Sequence, residues 1–241
     1  MNTLYKSVTT FDIMMKINVA NLNHSDAIRM VVINRFGGWY SDLDFVFLRS
    51  FHNDTKNSNL KNVVASCDLN SDPETDLNSK YNRGKLIANG LFHNDAGHFF
   101  LETAMNVFDE TFVNGIHLSS GPMVFTAALK KLCDPEYGNN MPFVPVDYSR
   151  NRCSGIELVE PWLFYPVDWF HSTILNKNHM FDDSYWEEKF KNSVAVHFYG
   201  SLVRNDNDKV MRPKNYGKKK PAMAYIGPKA CPLSFFSTTP F

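Results

Sequence analysis

Between residues 22 and 48 the apolar positions change their period. Ile28, Val31, Val32 and Phe36 recur at the spacing of one helix face, behind Ser25 as an N-cap and Asp26 in the first turn. Gly37-Gly38 supplies the stop. Trp39-Tyr40 and Phe45-Val46-Phe47-Leu48 then read as β-favouring stretches on either side of Asp42-Leu43-Asp44. The predicted order is helix, glycine turn, strand, with acidic residues where the strand breaks.

Further along, residues 51–59 are polar and Asn-rich, a loop. Lys61–Cys67 reads as a short buried strand, 68–83 as a second loop, and Leu86–Phe92 as a strand-like piece ending at an exposed Asn89-Gly90. His98–Phe112 carries Phe99, Leu101, Ala104, Met105 and Phe108 at helical spacing. Gly121-Pro122 opens another helix with Val124, Phe125, Ala128, Leu129 and Leu132. Residues 134–160 are loop-rich, Trp162–Trp169 is aromatic and Pro-punctuated, and Val194–Tyr199 is a strand. From Arg204 onward the chain is basic and without pattern, so it is expected to be irregular. Helices and strands in alternation predict an α/β domain, with 1–203 as the domain and 204–241 as a tail.

Composition narrows the class. At 241 residues the chain has room for one large domain or two small ones. Lys+Arg and Asp+Glu both number 25, which removes the electrostatic case for nucleic acid as a main partner. No apolar run approaches the roughly 18–20 residues of a spanning helix. The first twenty residues include Asp12 and Lys16 and lack a continuous apolar core, so no signal peptide is written there. Cys67, Cys133, Cys153 and Cys231 form no C-x-x-C pair and no zinc spacing. Asn23-His24-Ser25 and Asn53-Asp54-Thr55 are glycosylation sequons that gain meaning only in a secretory setting.

Asp42 and Asp44 carry the candidate chemistry. On a regular strand they point the same way, and at a strand end their oxygens can converge on one hard cation, Mg²⁺ or Mn²⁺, with positions left for phosphate. A solvated acidic turn is the plainer alternative. A haloacid-dehalogenase-type phosphatase is another, since Asp42-Leu43-Asp44-Phe45-Val46 satisfies Asp-x-Asp-x-Val, with Asp182-Asp183 as a late acidic pair. That chemistry needs an apolar strand before the first Asp, and Phe36–Ser41 is interrupted by glycine.

The block Ser25-Asp26-Ala27-Ile28-Arg29, followed by Gly37-Gly38-Trp39-Tyr40-Ser41-Asp42-Leu43-Asp44, resembles the metal-dependent glycosyltransferases with a DXD sugar-binding region. Asn89-Gly90-Leu91-Phe92, Gly121-Pro122, Phe164-Tyr165-Pro166, Ala195-Val196-His197 and Cys231-Pro232 resemble the α-1,4-glycosyltransferase group of the globotriaosylceramide synthase type. The resemblance covers about residues 20–200, with the DXD region at about 20–110 and the α-1,4 region at about 111–203. It implies a GT-A-like, Rossmann-related α/β fold, a UDP-sugar donor, Mn²⁺ (or Mg²⁺) and retention of anomeric configuration. A hexose or N-acetylhexosamine would pass to a galactose-type acceptor on a glycolipid or glycan.

Carried over by position, Asp42, Asp44 and His197 would hold the metal, with a satisfied strand-end histidine as the alternative for His197. Asp26, Arg29, Tyr40, Asn89 and Gly90 would contact the donor sugar. An intrahelical ion pair for Asp26 and Arg29, core packing for Tyr40 and a simple turn for Asn89-Gly90 stay open. Ser120, Gly121 and Pro122 match an acceptor-side loop in which relatives often carry Gln at the position of Ser120. A Cys133–Cys153 disulfide and, more weakly, a Cys67–Cys231 bridge are implied, together with a Golgi-lumen, type II membrane setting for a full-length form. The resemblance departs at the start: only 24 residues precede Ser25, too few for the first βαβ unit and an anchor. An inactive or shortened homologue is therefore carried as an alternative, with weak UDP binding expected.

Overall fold

The computed structural model describes residues 21–50, 60–65, 86–112, 120–133, 152–169, 171–176, 178–200 and 216–232. In chain order these form helix α1 (Asn21–Phe36), strands β1 (Gly38–Ser41), β2 (Phe45–Phe47), β3 (Val63–Ala65) and β4 (Leu91–Asn94), and helices α2 (Phe99–Thr111) and α3 (Pro122–Cys133). Strands β5 (Arg152–Cys153), β6 (Ile156–Val159) and β7 (Phe181–Asp182) follow, then helix α4 (Asp183–Phe190), strands β8 (Ala195–His197) and β9 (Lys219–Lys220), and helix α5 (Ala222–Ala230). The chain divides into two units, Met1–Ser41 with Leu60–Ala65 and Asp72–Val159, and Asp42–Asn59 with Ser66–Ser71 and Glu160–Phe241.

The first unit is built on a five-stranded sheet in the order β1-β4-β3-β6-β5. Its β3–β6 pair is parallel and the other pairs are antiparallel. Helix α2 forms because Phe100, Leu101, Ala104, Val107 and Phe108 fall on one face and are buried there. His98 caps it, its Nδ1 accepting from the Phe100 N–H at 3.2 Å. Pro122 starts α3, where its missing N–H costs nothing. Phe125 of α3 meets the edges of Phe92 and Phe100 at ring separations of 5.0 and 5.1 Å. Thr126 Oγ1 accepts from the Ile87 N–H at 2.8 Å and so ties α3 to the segment before β4. Gly37 has φ of +70°, and a Cβ there would stand 2.8 Å from the Ala96 backbone nitrogen, so the stop between α1 and β1 requires glycine.

The second unit pairs β2 with β8 antiparallel, placing Phe45 opposite His197. Leu48 N–H donates to the Val194 carbonyl at 2.8 Å and Arg49 Nε to the Ser193 carbonyl at 2.9 Å, extending the pairing with a side-chain clip. Trp186 of α4 is fully buried and its indole N–H reaches the Lys220 carbonyl at 2.9 Å, joining α4 to the β7–β9 ribbon. Among the described residues, a mixed α/β architecture with a parallel strand pair and five helices is consistent with the expected GT-A-like fold. Residues 1–20, on which the expectation about the first βαβ unit falls, lie outside the described residues.

Several local expectations are corrected. Ser25 lies inside α1, which begins at Asn21, and its Oγ is taken by Arg29 Nη2 at 3.1 Å rather than by a helix-start N–H. Asn89 and Gly90 are buried and lead into β4 instead of ending a strand. The strand read over 61–67 begins at Val63, after Asn62 with its φ of +51°, and residues 66 and 67 lie outside the described residues. The segment expected to be irregular carries β9 and α5. Helix α4 forms where the sequence shows no apolar period, and Asp182, half of the acidic pair at 182–183, is its N-cap, accepting from the Tyr185 N–H at 3.0 Å.

Candidate functional site

Asp42 and Asp44 lie in the turn that joins β1 to β2, closed by a Phe45 N–H to Asp42 carbonyl contact at 3.4 Å. Leu43 between them projects fully into solvent. The pairing of β2 with β8 then brings in the third group. His197 ends β8 directly opposite Phe45, and its Nε2 stands 3.0 Å from Asp44 Oδ1. Asp42, Asp44 and His197 each offer a ligand atom, and these atoms lie within 4.8 Å of one another. The turn, rather than strand alternation, makes the two carboxylates converge.

Asp44 is held from three sides. Besides His197, the Gly200 N–H donates to Oδ2 at 2.8 Å, and the Phe198 N–H donates to the Asp44 carbonyl at 2.9 Å. Burial by itself would raise the carboxyl, but the hydrogen bond and charge of His197 and the Gly200 N–H outweigh it and bring it from 3.8 down to about 2. His197 is set by packing: Phe45 stacks on it at 4.4 Å, Tyr199 lies at 4.2 Å and Tyr165 presents an edge at 5.7 Å. Its Nδ1 is buried with no hydrogen-bond partner among the described residues. A cation would take the imidazole through Nε2, which with the two carboxylates makes a donor set that suits a divalent metal.

A second cluster belongs to the first unit. Arg29 Nη2 pairs with Asp26 Oδ1 at 3.0 Å, the intrahelical ion pair that the spacing offered. The arrangement goes further than that pair. Asn89 Nδ2 donates to Asp26 Oδ1 at 2.8 Å, Ser120 Oγ donates to Asp26 Oδ2 at 2.6 Å, and Arg29 Nη1 donates to the Asn89 carbonyl at 2.9 Å. The guanidinium carbon lies 4.5 Å over the Tyr40 ring, which stacks in turn on Phe92. Gly121 packs so closely that a Cβ there would stand 2.5 Å from Asn89 Nδ2. Residues expected at the donor sugar and at the acceptor-side loop thus form one buried polar network, with Pro122 opening α3 beside it.

Two participants had not been read from the sequence. Gly200 follows His197 by three positions and acts through its backbone; Ser25 acts on Arg29 through both its Oγ and its carbonyl, at 3.1 and 3.3 Å. A histidine shortly before a glycine at a strand end was the available signal for the first. Cys133 is not a free thiol, and the Cys153 side chain lies outside the described atoms. Cys231 is free and exposed just beyond α5, which overturns a Cys67–Cys231 bridge. Cys67 and the Asn53 sequon lie outside the described residues.

The Asp-x-Asp turn falls within residues 1–62, which match the family described as "Glycosyltransferase sugar-binding region containing DXD motif". Residues 93–234, more than half of the chain, match "Alpha 1,4-glycosyltransferase conserved region". The chain belongs to the α-1,4-glycosyltransferase family. It is similar to lactosylceramide 4-alpha-galactosyltransferase of Homo sapiens, at 27% identity over 146 residues, covering 60% of this chain and 33% of that protein. The Pan troglodytes protein of that name is 28% identical over 60% of this chain and 33% of its own length, and the Mus musculus protein 26% over 60% and 32%. The aligned stretch thus spans about a third of these relatives. No solved structure matches the chain. Among the described residues no helix is long and apolar enough to cross a membrane.

Proposed function

We propose that this chain is a retaining, metal-dependent transferase. It moves a hexose or N-acetylhexosamine from a UDP-sugar to a galactose-type acceptor on a glycolipid or glycan, in the Golgi lumen, and forms an α-1,4 linkage. The observation that carries this is the convergence of Asp42, Asp44 and His197 in a chain of this family. Two carboxylates and one imidazole suit Mn²⁺, with Mg²⁺ second, because the nitrogen donor favours the later metal of the two. Bound there, the cation supplies positive charge to a diphosphate as it departs from the sugar. Asp44, ionised and aimed by Gly200 and His197, is the more direct ligand. Asp42 and His197 complete the set.

Asp26, Arg29, Tyr40, Asn89 and Gly90 bind the donor sugar, and Ser120, Gly121 and Pro122 form the acceptor-side loop. Transfer proceeds by front-face attack. The acceptor hydroxyl oxygen bonds to the anomeric carbon, the bond from that carbon to the diphosphate oxygen breaks, and the hydroxyl proton passes to the diphosphate, which leaves as UDP. No protein nucleophile is needed, so the protein's part is orientation and electrostatics. The test is UDP release and product formation from UDP-galactose, UDP-N-acetylgalactosamine and UDP-N-acetylglucosamine, with lactose-type acceptors and Mn²⁺. Mn²⁺-dependent transfer from one of them supports the reading. Absence of both turnover and Mn²⁺-dependent UDP binding would show an inactive homologue, and phosphate release from phosphoesters a phosphatase.

A further inference from the structure

Tyr199 has φ of +48°. A bulky residue adopts this left-handed conformation at a cost and keeps it only where its surroundings hold it. Here the hold is visible. The side chain is buried, its hydroxyl donates to the Val167 carbonyl at 3.0 Å, and its ring lies 4.2 Å from His197 and edge-on to Trp169 at 6.4 Å.

The result of that conformation is equally visible. His197 Nε2 addresses Asp44 Oδ1 at 3.0 Å, and three residues later the Gly200 N–H addresses Oδ2 of the same carboxylate at 2.8 Å. An extended chain would carry residue 200 about 10 Å beyond residue 197. A turn at 199 brings it back. A Cβ on Gly200 would stand 3.4 Å from Asp44 Oδ2, an ordinary contact, so the backbone demand falls on Tyr199 and not on the glycine.

We propose that Tyr199 is a positioning residue of the metal site: latched to Val167 through its hydroxyl, its left-handed backbone sets His197 and the Gly200 N–H on the two oxygens of Asp44. This rests on the metal-binding reading given above. Tyr199 acts through its neighbours and does not itself ligate.

The test is titration with Mn²⁺ alone, following loss of the free-ion electron paramagnetic resonance signal, on the wild-type chain and three variants. Tyr199→Phe keeps the ring and removes the latch. Tyr199→Asn tolerates the left-handed backbone but cannot span to Val167. Ser193→Ala removes a comparable buried hydrogen bond in the same unit, Ser193 Oγ to the Trp162 carbonyl at 2.7 Å, away from Asp44. The expected result is a dissociation constant raised about tenfold in Tyr199→Phe, the worth of one hydrogen bond. Tyr199→Asn binds at least as weakly, while Ser193→Ala loses thermal stability yet stays within about twofold of wild type in affinity. Wild-type affinity in Tyr199→Phe, or an equal loss in Ser193→Ala, overturns the proposal. A wild-type chain that binds no Mn²⁺ removes the metal-site reading itself, and this inference with it.

Discussion

Asp26 offers the sharpest test of the network in the first unit. Its carboxylate accepts from Asn89 Nδ2 at 2.8 Å and from Arg29 Nη2 at 3.0 Å on Oδ1, and from Ser120 Oγ at 2.6 Å on Oδ2. Arg29 is only 6% exposed, so Asp26→Ala removes a carboxylate paired with a buried guanidinium. Removing one member of a buried pair costs about 3–5 kcal/mol. Arg29 keeps the Asn89 carbonyl, both Ser25 oxygens and the Tyr40 ring face, which places the loss at the lower end, about 3 kcal/mol. Asp26→Asn separates charge from hydrogen bonding. The amide oxygen in the place of Oδ1 still accepts from Arg29 and Asn89, and the amide N–H donates to Ser120 Oγ, which can turn to accept. Only the charge assistance disappears, about 1–2 kcal/mol. Urea unfolding of the metal-free protein followed by circular dichroism reads both values. Thermal midpoints should fall by about 2–4 °C for each kcal/mol. An alanine variant within about 1 kcal/mol of wild type, or an asparagine variant as damaged as the alanine one, refutes the account.

Other consequences can be measured in the same protein. Asp42→Asn and Asp44→Asn should each nearly abolish Mn²⁺-dependent transfer while circular dichroism stays native, because an amide keeps the size and loses the charge that holds a cation; normal turnover in the double variant would remove the metal assignment. Gly121→Ala should push Asn89 off Asp26 and cost about 1–3 kcal/mol, with little further loss when Asn89→Ala is added, whereas full additivity in urea unfolding would show that the two do not touch. The Asp44 carboxyl sits at about 2 in the folded chain and near 3.8 otherwise, so its contribution is present above about pH 4 and fades as pH falls toward 2. Metal-free wild type should therefore lose its stability advantage over Asp44→Asn across that window, and an advantage unchanged at pH 2 would contradict the assigned contacts. Cys133 should pair with Cys153, closing a loop of about 20 residues worth about 3 kcal/mol; alkylation of both thiols without prior reduction would exclude it.

Short-range pattern made α2 and α3 legible, since each combines a full apolar face with a clear start, His98 for one and Gly121-Pro122 for the other. The same rules misplaced the start of α1. Ser25-Asp26 has the form of a cap, but Ser25 Oγ is engaged one turn later by Arg29, and a serine near a helix start does not announce which donor will claim it. Helix α4 buries only Trp186 and Phe190 among charged neighbours, too sparse for a period to show, and α5 contains Pro228. Both are held by tertiary contacts, such as the Trp186 N–H on the Lys220 carbonyl, that no local window contains.

The candidate sites divide along the same line. Asp42 and Asp44 are neighbours in sequence, and a turn suffices to bring them together. Their third group is 153 positions from Asp44 and is brought to it by the pairing of β2 and β8 in the register that sets Phe45 against His197. The network around Asp26 spans 63 positions to Asn89 and 94 to Ser120, and its members are ordinary polar residues whose side chains the sequence leaves unassigned. Likeness to a family can point to each of them singly. What it leaves out is that Asp26 answers three donors at once while Asp44 answers an imidazole and a backbone N–H. Both carboxylates are thereby fixed in direction before any ligand arrives. The bland role of holding structure and the proposed role of recognising a sugar or a cation are then the same geometry, and only a variant that separates charge from shape, as asparagine does at each position, can tell them apart.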